Sequence, residues 1–290
     1  MARQTESFRA ATLLIRVVYF WFARNTLSFL SQFETYAKVP DSALPWPLFW
    51  HGLMSRAAML DLLGIAGVLG FIFVMIAPGW RSARMIATWI LLFQSSVEYA
   101  WGDVGHAGHA YFWTLFVLAL APSWRAREHR RAIRQRVLVN FGHVQLLLAL
   151  FYFLSGAAKL LVACQQLLAG TVSAFHWTGM ARILAARLLL GNTRTVLGGF
   201  LIDHPGLSYS GFWTTVVVEL SSLWVLLRPS YHRVWGMLIV SFHLMMVLSL
   251  SPNFVSNIFL VMIFFVLSPI VGADQCWREW LSKRGFHRKS

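Results

Sequence analysis

The chemistry available to this sequence turns on Lys159. It stands in the stretch Leu147–Leu160, within an apolar run that carries no formal charge from Val137 until this lysine. The chain has four lysines, Lys38, Lys159, Lys283 and Lys289, and only Lys159 lies inside a membrane-grade segment. An ammonium placed there costs on the order of 3 kcal/mol by insertion scales. A partner charge or a reaction must offset that cost. Tyr152, Ser155 and Lys159 recur at i, i+3 and i+7 on one helical face, and Gly156 permits close approach of another helix. One reading is a desolvated lysine acting as a general base. The other is a lysine that snorkels outward or pairs with a carboxylate for assembly.

Glu219 is the first candidate partner, mid-span in Val216-Val217-Val218-Glu219-Leu220. It is the counter-ion of Lys159, or it pairs with Arg16 or Arg24 of the first span. Those arginines lie about two turns apart and could face the interior together, or snorkel. His243, in Val240-Ser241-Phe242-His243-Leu244-Met245-Met246, is either a satisfied interhelical donor or part of a cavity gathering Lys159, His109, His243 and Glu98. Asp103, His106 and His109 have a three-residue spacing that a metal could use. Glycines break the helix there and no fourth ligand is obvious, so no metal is expected. His109 reads more plainly as a hydrogen-bonding or proton-handling group at the water interface. No Walker loop, dinucleotide fingerprint, nucleophile elbow or HExxH is present, which points to a lipid-soluble cofactor over a phosphate-bearing one.

The elements that must position these residues are apolar helices. A chain that is 58% hydrophobic, only 12% charged and of mean hydropathy +0.60 is a polytopic helical membrane protein by composition. The expected fold is an all-α transmembrane bundle of about eight spans, near 9–30, 57–77, 84–101, 107–122, 138–162, 210–227, 234–250 and 254–271. The polar start, Met1–Arg9, followed by a segment without a clear cleavage site, reads as the entry to span one and not as a signal peptide. The net charge of +14 does not indicate nucleic acid, because the arginines cluster in short links between spans. Arg125, Arg127, Arg130, Arg131, Arg134 and Arg136 crowd one such link. An even number of spans places that link, the basic tail and Arg3 and Arg9 on the cytoplasmic side, with both termini. Cys164 and Cys276 then fall on opposite sides, so no disulfide joins them, and neither has metal-ligand spacing. Residues 164–209 form an extracytoplasmic segment of a single 1–290 domain, with an interfacial helix at 175–190.

Three ordered stretches add a resemblance. Gly105–Pro122 is a histidine opening an aromatic-rich span that ends in proline before a basic loop. Tyr152–Leu160 reads Tyr-Phe-Leu-Ser-Gly-Ala-Ala-Lys-Leu. Glu219 is followed by Phe242-His243-Leu244-Met245 and then by Phe254–Pro269. Together they resemble the HTTM family, the membrane domain shared with vitamin K-dependent gamma-carboxylase, over nearly the whole chain. The resemblance implies a lyase-like or epoxidase-like membrane enzyme using reduced vitamin K (menaquinol or another quinol). Lys159 would deprotonate the quinol, and the oxygenated quinol would remove a glutamate gamma-proton so that the carbanion captures carbon dioxide. His109 and His243 would hold or protonate the cofactor, with Tyr152, Ser155, Gly156 and Glu219 around it. The site would face outward from a bacterial inner (cell) membrane, with membrane lipid and a secreted peptide as partners. Gly108 departs from the asparagine that the carboxylase has before the matching histidine. The sequence ends just after span eight, where the carboxylase continues into a large extramembrane domain, so the base is expected without that substrate recognition. The competing expectation is a non-enzymatic maturation factor or partner protein in which Lys159–Glu219 is a structural pair. A transporter ranks third, for want of an internal repeat or a continuous polar path.

Overall fold

The computed structural model describes residues 2–31, 56–99, 106–125, 127–250 and 254–270. Among the described residues the protein is all-α: helices joined by turns, with no strand. It forms two compact units, Met1–Val144 and Gln145–Ser290.

The first unit holds α1 (Ala2–Ser31), α2 (Arg56–Ile76), α3 (Arg81–Tyr99), α4 (His106–Ala119) and the start of α5 (Arg131–Leu168). Helices α1 to α4 pack in sequence order around Tyr19, Phe22, Phe71 and Tyr111, with Phe22 and Phe71 stacked at 5.8 Å. Pro78 ends α2, since a residue preceding proline is pushed out of the helical region. The turn after it seats Gly79 against the Trp124 carbonyl oxygen, where any Cβ would clash. Arg84 is fully buried. Its guanidinium donates to the carbonyls of Pro78, Leu118 (3.1 Å) and Pro122 (3.1 Å) and stacks over the Trp124 ring. It thus satisfies carbonyls that the end of α4 leaves open.

The second unit holds the rest of α5, then α6 (Gly179–Leu190), α7 (Val196–Asp203), α8 (Pro205–Leu220), α9 (Ser222–Leu226), α10 (His232–Leu250) and α11 (Val255–Val261). Pro205 opens α8 at the position where its missing N–H costs nothing. Thr195 caps α7 by accepting from the Gly198 N–H at 3.1 Å, and it ties that cap to α10 by donating to the Ser249 carbonyl at 2.6 Å. After α11 the chain widens into a π turn, Met262–Val266. The helix expected at 175–190 starts later, at Gly179, because Ser173 first folds back to donate to the Ala163 carbonyl at 2.6 Å.

Among the described residues, two helical stretches, Arg131–Leu168 and Pro229–Leu250, are long and apolar enough to cross a membrane. Asp61–Ile76, within the longer α2, His109–Ala119 and Val255–Val266 are further apolar helical stretches among the described residues. Helix α8 has 16 residues, and α1 carries Arg9, Arg16 and Arg24. The most apolar windows of the two long stretches are only 28% and 33% buried, whereas the core helix of a water-soluble protein is mostly covered. Helix α2 leaves Leu62, Ile65, Leu69, Phe73 and Ile76 exposed at helical spacing, and α10 does the same with Val234, Met237, Leu238, Met245 and Leu248. Apolar stripes facing outward in this way fit a lipid surrounding.

Candidate functional site

Helix α5 sets the register of the site. Its residues Tyr152, Ser155, Gly156 and Lys159 fall on one face, and α8 brings Glu219 to that face from its last turn. Gly156 makes the meeting possible: a Cβ there would stand 3.0 Å from the Glu219 Cβ and 3.2 Å from the Leu220 Cγ. The Lys159 ammonium donates to both carboxylate oxygens of Glu219 at 2.6 Å and to the Ser155 hydroxyl at 2.8 Å. Ser155 in turn donates to Glu219 Oε1 at 3.2 Å. A lysine ammonium has three donors, and three acceptors surround this one. The two side chains differ sharply in burial, 33% exposed for Lys159 against 2% for Glu219. The Phe242 ring of α10 lies 5.8 Å from Nζ, at the outer range of a cation–π contact.

One turn back along α5, the Tyr152 hydroxyl meets His243 Nε2 of α10 at 2.7 Å, with both side chains buried. The bond holds with the proton on either atom, depending on the imidazole tautomer. Trp235 meets the Tyr152 ring edge-on at 5.4 Å and donates its indole N–H to the Val218 carbonyl at 2.9 Å. Phe254 closes on the other side of the imidazole at 5.0 Å. His243 Nδ1 is buried and has no hydrogen-bond partner among the described residues. Ser222 completes the frame by donating to the Ala149 carbonyl at 2.8 Å, fastening the end of α8 to α5.

The second unit therefore brings together Lys159, Ser155, Gly156, Glu219, Tyr152 and His243. Of the partners open to Glu219 from sequence, Lys159 is the one it engages. Arg16 instead donates to the Ile76 carbonyl at 3.4 Å, at the end of α2, and Arg24 is exposed over the Trp21 ring at 4.9 Å. His109 belongs to the first unit, in the opening turns of α4. Asp103 and the side chains of Glu98 and His106 lie outside the described residues. Among the described residues, no three His, Cys, Asp or Glu side chains are grouped to hold a metal. Cys164 is a free, exposed thiol, and Cys276 lies outside the described residues.

Two polar centres were not singled out from sequence. Gln145, fully buried, donates to the Phe264 carbonyl at 2.6 Å and to Ser268 Oγ at 3.0 Å, and lies 3.4 Å from His232 Nδ1. The acceptor at 2.6 Å belongs to the π turn, whose wider register alters backbone pairing. A glutamine in the middle of Val144-Gln145-Leu146 was the available signal. Arg84 opens the span expected at 84–101, and nothing in its local sequence marks a residue that gathers carbonyls from a distant turn.

The chain matches no protein-family model, no curated protein and no solved structure.

Proposed function

We propose that this is an integral membrane protein whose Lys159–Glu219 pair handles a proton during modification of a peptide, as the HTTM resemblance implies. The proposal includes an eight-span arrangement with both termini cytoplasmic, in a bacterial cell membrane, and a site facing outward. The observation that carries it is the asymmetry of the pair: the amine is one-third exposed and the carboxylate behind it is buried. That arrangement suits a base whose partner takes up and returns the proton, because Glu219 holds it away from water while Lys159 meets the substrate.

A quinol such as reduced vitamin K fits the residues present in two respects. Lys159 and Phe242 offer a part-exposed amine beside an aromatic face, and His243 Nδ1 is a buried polar atom without a partner among the described residues. Lys159, Phe242 and His243 are the residues that would hold the ring. Tyr152, bonded to His243, would fix the orientation of the imidazole. Ser155 steadies both members of the pair, and Gly156 lets α8 come close enough to form it. When bound, the quinol would supply an acidic hydroxyl and, through its own oxidation by dioxygen, the driving force for removing a peptide proton.

One observation favours the second reading, a maturation factor or partner protein with a structural ion pair. The ammonium already has three acceptors within 2.8 Å. Native mass spectrometry with lipid extraction, on wild type, Lys159→Ala and Lys159→Arg, separates the two. The enzyme reading expects a co-purifying quinone and loss of peptide modification in both variants, since arginine stays protonated. A protein carrying only phospholipid, with function retained in Lys159→Arg, supports the structural pair.

A further inference from the structure

Three arginines of the 125–136 link do more than mark one side of a membrane, because the first unit ties the turn that precedes them to a second basic turn. Two basic turns are fastened together there. The Trp124 N–H donates to the Gly79 carbonyl at 3.0 Å, the Arg81 N–H donates to Ser123 Oγ at 3.4 Å, and Arg84 bonds both turns from beneath. The fastening sets Arg81 beside the turn that carries Arg125, Arg127 and Arg131, all four exposed. Trp80, 60% exposed, stands next to Arg81.

The local charges leave this face strongly positive. Glu128 accepts from the Arg130 side chain at 2.9 and 3.1 Å and from the backbone N–H groups of Arg130 and Arg125, and Arg134 is buried, donating to Thr5 at 2.7 Å. The exposed Glu6 is the one other acidic side chain described near that end of α1. Arg81 and Arg131 are the first residues of α3 and α5, and neither helix has an acidic residue in its first turn. The positive helix ends thus add to the arginines and are not neutralised by them. Exposed guanidiniums and an exposed indole are what a phosphate-bearing lipid surface matches.

We infer that the face formed by Arg81, Arg125, Arg127 and Arg131 binds the headgroup phosphate of anionic phospholipid, with Trp80 lying in the acyl boundary. The inference needs only that the chain sits in a membrane and is independent of any role for Lys159.

The test uses the full chain in neutral detergent, titrated with phosphatidylglycerol, phosphatidylcholine and inorganic phosphate and followed by native mass spectrometry. Each arginine beside an anionic lipid surface strengthens attachment about fivefold. The triple variant R125Q/R127Q/R131Q is therefore expected to lose on the order of 10²-fold in phosphatidylglycerol affinity, with phosphatidylcholine unchanged. Arg84 and Arg134 are left intact because they hold the fold. Raising salt must weaken phosphatidylglycerol binding to the wild type, a result that needs no variant. R182Q/R187Q/R194Q, in the second unit, must bind phosphatidylglycerol as the wild type does. Equal affinity for the two lipids, unchanged affinity in the first triple variant, or an equal loss in the second overturns the inference. Full competition by inorganic phosphate also overturns it, since the face is then a site for free anions.

Discussion

Removing the lysine head group while leaving Glu219 in place is the sharpest perturbation of the site. In Lys159→Met the buried carboxylate keeps only the Ser155 hydroxyl, at 3.2 Å. The gross attraction that is lost, for a 2.6 Å separation and an effective dielectric of 20, is about 6 kcal/mol. Desolvation of Glu219 offsets part of that in the native protein, and the one-third exposure of Lys159 weakens it further. The expected net cost is about 3 kcal/mol, the lower end of what breaking a buried pair costs. Glu219→Leu alone leaves an ammonium that can turn toward solvent, so it should cost less, about 1 kcal/mol. Lys159→Met/Glu219→Leu replaces both charges with apolar groups and should lie within about 1 kcal/mol of wild type, giving a coupling of about 4 kcal/mol. Denaturation in mixed micelles, followed by tryptophan fluorescence, measures all four proteins. A coupling below about 0.5 kcal/mol refutes the claim that the two side chains act as a unit. The same set divides the functional readings: a double variant that is stable but inactive supports proton handling, and one that is stable and active supports a structural pair.

Other outcomes follow from single contacts. Gly156→Ala places a methyl 3.0 Å from the Glu219 Cβ, so α8 must move by a few tenths of an ångström, at an expected cost of about 1–3 kcal/mol; thermal unfolding reads it, and a neutral result would show that α8 is free to shift. Arg84→Lys keeps the charge but cannot span the carbonyls of Pro78, Leu118 and Pro122, so a loss of at least about 2 kcal/mol is expected in the same assay. The Arg130 side-chain hydrogen bonds hold the Glu128 carboxyl down to about 2, with help from the Arg130 and Arg125 backbone N–H groups. A carboxyl held low in the folded state stabilises it above its unfolded value near 4.5, and the contribution is lost as pH falls from there toward 2. Arg130 is largely solvated, so the effect is expected to be at most about 1 kcal/mol, and Glu128→Gln should abolish it in unfolding measured across that window.

The helices were legible from sequence to the extent that hydropathy and helicity coincide. Hydropathy places span five at 138–162, but the helix runs from Arg131 to Leu168, because its polar flanks are good helix formers that an apolar-run criterion ignores. The span expected at 210–227 begins at Pro205 and bends after Leu220, where the chain restarts as Ser222–Leu226. Its proline start was a readable signal; the bend was not, because the Ser222 hydroxyl that bonds the Ala149 carbonyl reaches 73 positions back along the chain. The π turn that replaces the second half of span eight has the same character, with its Phe264 carbonyl taken by the Gln145 amide.

A similar division runs through the site. The spacing of Tyr152, Ser155, Gly156 and Lys159 is a property of one helix, so their common face could be read directly from the sequence. The choice among Lys159, Arg16 and Arg24 as partner of Glu219 depends on how helices are registered against each other, which no local pattern encodes. Even so, Gly156 carried part of the answer. It is the residue whose missing Cβ admits α8, and it lies three positions before the lysine and one after the serine that bond the carboxylate it lets in. A glycine between two polar residues on an otherwise apolar face is thus a local mark of where another helix must cross. The charge best placed to be met there is the one a turn away on the same face, which is why Lys159 and not an arginine of α1 holds Glu219.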